Sequence, residues 1–173
     1  ARRIGSLGRW GAALALTVVL SACASQKDDI IDSTPADQLY NEGLVALQAG
    51  KRADAVKKFD DVDRLHPYSQ LSKNAILLQA YTQFERGAYT DAIQAAQRFI
   101  TLYPSSPDAA YAQYIVAESY YLQIPDVSRD QARTASALAA YGDLIQKYPD
   151  SPYAEDARKK VLTVRDQLGG KEM

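Results

Sequence analysis

After residue 35, the chain places apolar residues three and four positions apart, which is the spacing of one face of an α-helix. One such face consists of Ala53, Val56, Phe59, Val62 and Leu65. The other positions of that stretch are charged and are predicted to face water: Asp54, Lys57, Lys58, Asp60, Asp61 and Asp63. The pattern recurs and predicts seven helices, over about residues 37–49, 53–65, 72–86, 90–102, 108–123, 132–147 and 153–168.

Glycines, alanines and prolines repeat at a fixed interval between and within these stretches. Three pairs of residues lie 37 positions apart: Gly50 and Gly87, Ala55 and Ala92, Pro67 and Pro104. A third copy ends at Pro149, with Ala137 at the matching position. Such a period is typical of helical hairpins, which must stack because one hairpin cannot bury its apolar face alone. We predict an all-α array of hairpins over about residues 36–68, 70–104 and 107–149, closed by a helix at 153–168.

Residue types also predict the turns and helix ends. Gly50 and Gly87 are expected to end their helices in the left-handed conformation, and Asp37 is expected to cap the first helix. The third interval is 45 residues, 8 longer than the preceding 37, and we assign the surplus to a turn at 124–130, where Pro125 breaks any helix. Residues 169–173 are expected to form a tail.

The first 22 residues are predicted to be a signal peptide. Basic residues precede an apolar stretch at 10–20, which is about half as long as the roughly 20 residues of a membrane-spanning helix. Leu20-Ser21-Ala22-Cys23 follows and resembles the lipobox of bacterial lipoproteins. The resemblance implies cleavage before Cys23 and an N-acyl diacylglycerol on that residue; the alternative is an ordinary buried cysteine.

The residue after the cysteine bears on localisation. In bacterial lipoproteins an Asp there tends to retain the protein in the inner membrane, whereas this chain has Ala24. The resemblance therefore implies lipid anchoring at the periplasmic face of the outer membrane. Residues 23–35 are polar and without helical period, so we expect them to form a flexible, lipidated tether.

Charge and chemistry narrow the class of function. Without the first 22 residues, 17 basic residues face 21 acidic ones, a net charge of −4, so no basic surface for nucleic acid is expected. The single cysteine excludes an internal disulfide. His66, the only histidine, precedes a proline at a predicted helix end, and no nucleophile–base set, phosphate loop or zinc spacing occurs. We predict a protein that is not an enzyme and holds no metal.

Small and aromatic residues carry a resemblance to a known repeat. Small residues stand where two helices must approach closely: Gly43, Ala55, Ala80, Ala92, Ala117 and Ala137. Phe59 and Tyr141 lie four residues beyond Ala55 and Ala137, each with a proline eight residues later. This pattern resembles the tetratricopeptide repeat, whose period is about 34 residues. The resemblance implies a right-handed superhelix.

A narrower resemblance rests on the repeat terminators and the N-terminal segment. Tyr103-Pro104-Ser105-Ser106-Pro107 and Tyr148-Pro149-Asp150-Ser151-Pro152 close the second and third repeats, and Leu39-Tyr40 opens the first. With the lipobox and the long third turn, these features resemble the BamD family (ComL-type) of lipoproteins of the outer-membrane β-barrel assembly machine. That family usually has five repeats, so we expect this chain to be truncated at its C-terminus.

The family resemblance implies a ligand, partners and a binding groove. The ligand is the C-terminal segment of an unfolded outer-membrane protein precursor, and the partners are the central barrel-assembly subunit (BamA-type), other Bam lipoproteins and outer-membrane lipid. In such repeats the first helix of each hairpin lines the concave surface. The groove residues carried over in this way are Tyr40, Leu44, Leu47, Leu77, Tyr81, Phe84, Tyr111, Tyr114, Glu118 and Tyr121.

Other interpretations of these residues remain open. Each aromatic ring could simply pack between repeats, because aromatic residues at helical spacing are common in cores. The whole chain could instead be a lipoprotein scaffold for pilus or secretin assembly or for cell-wall coordination. A third alternative, a helical-solenoid enzyme such as a transglycosylase, would need a catalytic domain beyond Met173.

Overall fold

The computed structural model describes residues 34–125 and 131–169, with side chains described up to residue 166. Several predictions lie outside these residues: the signal peptide, Cys23 and its lipid, the tether up to residue 33, the middle of the third turn and the last four residues. Within the described residues there is no strand, which confirms the all-α prediction. No helix there is long and apolar enough to cross a membrane.

Seven helices follow one another in the described part of the chain. They are α1 (Ala36–Gln48), α2 (Arg52–Leu65), α3 (Gln70–Glu85), α4 (Tyr89–Leu102), α5 (Ala109–Leu122), α6 (Gln131–Lys147) and α7 (Pro152–Gly169). The bounds agree with the sequence prediction to within two residues. Asp37 does not cap α1: Pro35 occupies the cap position, and Asp37 lies in the first turn, where its charge favours the helix dipole.

The first two hairpin turns have the same backbone structure. Gly50 has a φ of 72° and Gly87 a φ of 76°, so both are left-handed as predicted. In each turn the glycine N–H donates to the carbonyl three residues back, and the next residue's N–H donates to the carbonyl five residues back. This is the Schellman arrangement, and it satisfies carbonyls that the end of the helix would otherwise leave unpaired.

The helices form two layers. Each helix contacts the next one in the chain, and α1 also contacts α3, α3 contacts α5, and α5 contacts α7. Within the described residues, the backbone of α2 does not approach that of α4 closely, and neither does the backbone of α4 approach that of α6. We call α1, α3, α5 and α7 the odd-helix layer and α2, α4 and α6 the even-helix layer. The helices of the odd-helix layer therefore lie closer to one another than those of the even-helix layer.

Small residues occupy the places where the helices approach most closely. Ala55, Ala80, Ala92, Ala117 and Ala137 are all fully buried, as the sequence predicts. Gly43 is buried on α1, and a Cβ atom at that position would lie 2.6 Å from Cε1 of Phe59 on α2. The ring of Phe59 therefore takes the space that any larger residue at position 43 would need.

The buried apolar residues form two clusters. The smaller cluster, in the first hairpin and the start of α3, comprises Leu39, Ala55, Phe59, Val62 and Ala75. The larger one extends from α3 to α7 and contains the fully buried rings of Phe99 and Tyr141. Half-buried side chains surround both clusters, so the edge of the core is also part of the surface.

One predicted surface residue is buried. Asp63, which we expected to face water, is 6% exposed and accepts a hydrogen bond from Ser72 Oγ at 2.8 Å. The guanidinium of Arg98 on α4 pairs with its other carboxylate oxygen. The prediction is wrong because α2 packs against α1 on one side and α3 on another, so its buried surface is wider than one helical stripe. Ser72 and Arg98 supply the polar partners that a buried carboxylate requires.

Two glycines within helices, Gly43 and Gly142, offer a matched test of the close approach between α1 and α2. Gly43→Ala should lower the free energy of unfolding by about 1–3 kcal/mol, because its Cβ overlaps the Phe59 ring. Gly142→Ala on α6, where no atom lies within 4 Å of the new Cβ, should raise it by about 0.5–1 kcal/mol. Urea denaturation of both variants measures the difference. Equal effects at the two positions would contradict this packing.

Candidate functional site

The predicted groove residues all lie in the odd-helix layer. α1 carries Tyr40, Leu44 and Leu47; α3 carries Leu77, Tyr81 and Phe84; and α5 carries Tyr111, Tyr114, Glu118 and Tyr121. Nine of these ten residues, all except Glu118, are half-buried and pack against the edge of a core cluster. Because α1, α3 and α5 contact in order, these residues stand on neighbouring helices. Their role in peptide binding stays a prediction.

The α1 residues belong to the smaller core cluster. Tyr40 packs on Phe59, with 5.8 Å between the ring centroids, and its hydroxyl is hydrogen-bonded to Asn74. Burial raises the pKa of Tyr40, and the bond to Asn74 partly opposes that shift. Leu44 and Leu47 border the same cluster. The first hairpin thus presents one phenol and two aliphatic side chains.

The residues of α3 and α5 share the larger cluster. Tyr111 and Tyr114 both pack on Tyr153 of α7, with centroid separations of 5.3 and 5.2 Å. Burial raises the pKa of Tyr111 to about 12, and the nearby Tyr81, Tyr153 and Glu85 add to the shift. The hydroxyl of Tyr111 therefore stays protonated at physiological pH, and the rings form an apolar surface that also carries hydroxyl groups.

Two of the α5 residues also hold α7 in place. The hydroxyl of Tyr114 donates a hydrogen bond to Asp156 Oδ2 at 2.9 Å. Burial, followed by this hydrogen bond, raises the pKa of Tyr114 above its usual range. Nζ of Lys160 lies 4.5 Å from the ring centroid of Tyr121, a cation–π distance. Tyr114 and Tyr121 are only partly exposed, and both also connect α5 to α7.

Unlike the other predicted groove residues, Glu118 is buried. It is 6% exposed, accepts a hydrogen bond from the Tyr141 hydroxyl at 2.5 Å, and forms an ion pair with Lys160 at 3.2 Å. Burial and then the bond to Glu118 raise the pKa of Tyr141. The carboxylate is thus directed towards α6 and α7. The spacing of residues in the sequence placed Glu118 on the correct helix. It could not show which side chains would form a hydrogen bond or an ion pair with its carboxylate.

Sequence reasoning missed the contribution of α7. Tyr153, Asp156 and Lys160 complete the surface next to α5, whereas the sequence analysis gave this helix only the role of closing the array. A signal was present: Ser151-Pro152 before α7 repeats Ser106-Pro107 before α5 at an interval of 45 residues. That repeat indicates that α7 holds the first-helix position of a further hairpin and belongs to the odd-helix layer.

The arrangement is suited to binding rather than to bond-making chemistry. Its polar groups are neutral phenols and carboxylates that already have hydrogen-bond partners. His66 lies at the end of α2, with its Nε2 2.8 Å from the carbonyl oxygen of Thr34. Among the described side chains, no group of three His, Cys, Asp or Glu residues could hold a metal ion.

A solved structure supports the fold assignment. The tetratricopeptide-repeat domain of Arabidopsis OM64 superposes with a TM-score of 0.54 and 13% sequence identity, covering 73% of this chain and 93% of that domain. At this identity the similarity concerns the fold alone. It confirms the prediction of stacked tetratricopeptide-type hairpins.

Two curated relatives are similar over nearly the whole sequence. Both are named outer membrane protein assembly factor BamD. The protein from Caulobacter vibrioides is 43% identical over 165 residues, and the one from Rickettsia prowazekii is 39% identical over 162 residues. Each alignment covers 94% of this chain. The chain spans 54% and 64% of the length of these relatives.

The family model YfiO, described as outer membrane lipoprotein, matches residues 32–173. That range includes every helix of the structure. It also includes all ten predicted groove residues. The chain belongs to the YfiO (BamD) family of outer membrane lipoproteins.

Proposed function

We propose that this chain is a lipid-anchored, periplasmic part of the outer-membrane β-barrel assembly machine, where it binds unfolded outer-membrane protein precursors. The odd-helix layer receives the C-terminal segment of the precursor. Two relatives at 43% and 39% identity carry the name of an assembly factor for outer membrane proteins. The observation that carries the ligand assignment is the set of half-buried aromatic rings on neighbouring helices α1, α3 and α5.

Half-buried tyrosines suit an extended apolar ligand for physical reasons. Their rings are already fixed against the core, so ligand binding costs little additional side-chain entropy. A phenol offers a flat apolar face and a hydroxyl tip, which fits a peptide with alternating apolar and polar positions. The raised pKa of Tyr111 keeps its hydroxyl protonated and able to donate a hydrogen bond to a peptide carbonyl.

The anchor is the second component of the proposal. Cys23 follows a predicted signal peptide within a lipobox-like sequence, and we assign it an N-acyl diacylglycerol. Several acyl chains on one residue give stable membrane attachment, whereas one chain would give only marginal binding. The tether would then hold the helical array at the periplasmic face of the outer membrane.

The proposal also includes protein partners. We propose that the central BamA-type subunit and other Bam lipoproteins bind this protein, as the family resemblance implies. The chain acts without catalysis and without nucleic acid. The names of the relatives favour assembly of outer membrane proteins over the alternative of a pilus or cell-wall scaffold.

Replacement of one ring tests the binding surface. Tyr81→Ala should weaken binding of a C-terminal outer-membrane protein peptide by about tenfold, because a rigid aromatic contact is lost. Tyr120→Ala is the matched control. Tyr120 is also half-buried, but it lines the gap between α4 and α6, and its loss should change the affinity by less than about twofold. Fluorescence anisotropy of a labelled peptide measures both.

The same experiment separates the proposal from its alternatives. The reference peptide ends in an aromatic residue, and a second peptide carries Ala at that end. Tyr81 is preferred to Tyr114 because Tyr114 also bonds to Asp156, so its loss would disturb α7. If Tyr81→Ala and Tyr120→Ala weaken binding equally, or if the chain does not distinguish the two peptides, the proposed surface is wrong.

The anchor has its own test. Cys23→Ser should abolish lipidation and release the protein from the membrane fraction, because the hydroxyl cannot form the thioether. Mass spectrometry of the mature protein measures the modification, and cell fractionation measures its location. Cys23→Ala is expected to behave in the same way. An unmodified thiol on Cys23 in the wild-type protein would contradict the anchor, whatever the peptide measurements show.

A further inference from the structure

A separate groove is lined by residues of α3 and α4. Its cavity has a volume of about 270 Å³ and is lined by Gln79, Gln83, Asp91, Gln94, Ala95 and Arg98. We call it the glutamine groove. None of its lining residues belongs to the predicted peptide surface. Three of the six carry a carboxamide, so the groove is polar, with both hydrogen-bond donors and acceptors.

Gln83, one of the residues that line the groove, has an unused acceptor. The residue is 9% exposed, and its Oε1 is buried with no hydrogen-bond partner among the described residues. A buried carbonyl oxygen without a partner is unfavourable relative to a paired one. A ligand that donates an N–H to this atom would therefore recover that free energy on binding.

The charges of the groove leave one carboxylate available. Arg98 lines the groove but pairs with the buried carboxylate of Asp63 on α2. Gln79 donates through Nε2 to Asp60 Oδ1 at 3.1 Å. Asp91, in the first turn of α4, forms no ion pair with any side chain that the structure describes. With Arg98 neutralised, the groove has a net negative charge beside an unused carbonyl.

The preceding repeat provides an internal comparison. In the register of 37 residues, Asp54 corresponds to Asp91, Glu42 to Gln79 and Ala46 to Gln83. The first hairpin therefore keeps the carboxylate but has a methyl group where the second has the buried carboxamide. Glu42 there is paired with Lys58 at 2.6 Å. The unpaired acceptor is thus specific to the second hairpin and does not follow from the repeat itself.

We infer that the glutamine groove binds a guanidinium group, an arginine side chain presented by another protein. A guanidinium carries five N–H donors in one plane, so a single group has enough donors for both the carboxamide oxygen of Gln83 and the carboxylate of Asp91. It is also more weakly hydrated than an ammonium group, which lowers the cost of entering a polar groove of this size. The side chain of a neutral residue would leave the carboxylate of Asp91 without a counter-charge.

The inference is tested by titration of the isotope-labelled chain with N-acetyl-arginine methylamide. The matched probe is N-acetyl-citrulline methylamide, which has nearly the same length and shape but ends in a neutral ureido group, with a carbonyl and fewer N–H donors. Arginine should shift the side-chain amide resonances of Gln83 and the backbone resonances of Asp91 and Gln94. Citrulline should bind at least about fivefold more weakly, the ratio expected for loss of a partly exposed ion pair.

Variants identify the groups responsible. Asp91→Asn should weaken arginine binding about fivefold and leave citrulline binding unchanged. Gln83→Met, which keeps the length and removes the carbonyl, should weaken binding of both probes. Asp54→Asn is the control, because it removes the same charge from the first turn of α2. Melting temperatures of all three variants establish that they fold.

Several results would overturn the inference. These are equal affinities for arginine and citrulline, shifts confined to the predicted peptide-binding residues, or unchanged arginine binding in both folded Asp91→Asn and Gln83→Met. If Asp54→Asn weakened arginine binding as much as Asp91→Asn, the inference would also be wrong, because binding would then depend only on the net charge of the protein. The peptide-binding experiment with Tyr81 is independent of each of these outcomes.

Discussion

The structure depends on close approach between helices at positions where only small side chains fit. Gly43 lies against the Phe59 ring, and alanines with no exposed surface occupy the corresponding places further along the array. This spacing allows each odd helix to touch the next odd helix as well as its even neighbour. Without it, the odd-helix layer would separate into unconnected hairpins, and side chains of α1, α3, α5 and α7 would not form a common surface.

The same constraint explains where the large rings lie. A ring cannot replace Gly or Ala at a crossing point, so aromatic residues fill either the core beside those points or the edge of the core. Phe99 and Tyr141 take the first position and are fully buried. Tyr81 and Tyr111 take the second and remain half-buried. The half-buried phenols proposed to bind precursors are therefore a consequence of tight packing elsewhere in the array.

The sequence predicted the elements well and the polar pairings poorly. Helical periodicity and the interval of 37 residues located all seven helices, because those signals depend on local spacing. Asp63 was wrongly predicted to face water, and the burial of Glu118 was not predicted. The burial of each carboxylate depends on a partner far away in the sequence, Arg98 for Asp63 and Lys160 for Glu118. Periodicity assigns a residue to a face of its helix, but it does not reveal which charged side chain another helix brings to that face.

The array offers two places with different chemistry. The odd-helix layer presents neutral aromatic rings, and the glutamine groove presents a carboxylate with an unused carbonyl. One chain could thus hold an unfolded apolar segment and a basic side chain of another protein at separate places.

The central claim is that the aromatic rings of the odd-helix layer bind the precursor segment. Photo-crosslinking tests it most directly, with benzoylphenylalanine in place of the terminal aromatic residue of an outer-membrane protein peptide and mass spectrometry of the products. The account predicts crosslinks to α3 and α5 of the odd-helix layer. Crosslinks confined to α2, α4 and α6 would contradict it.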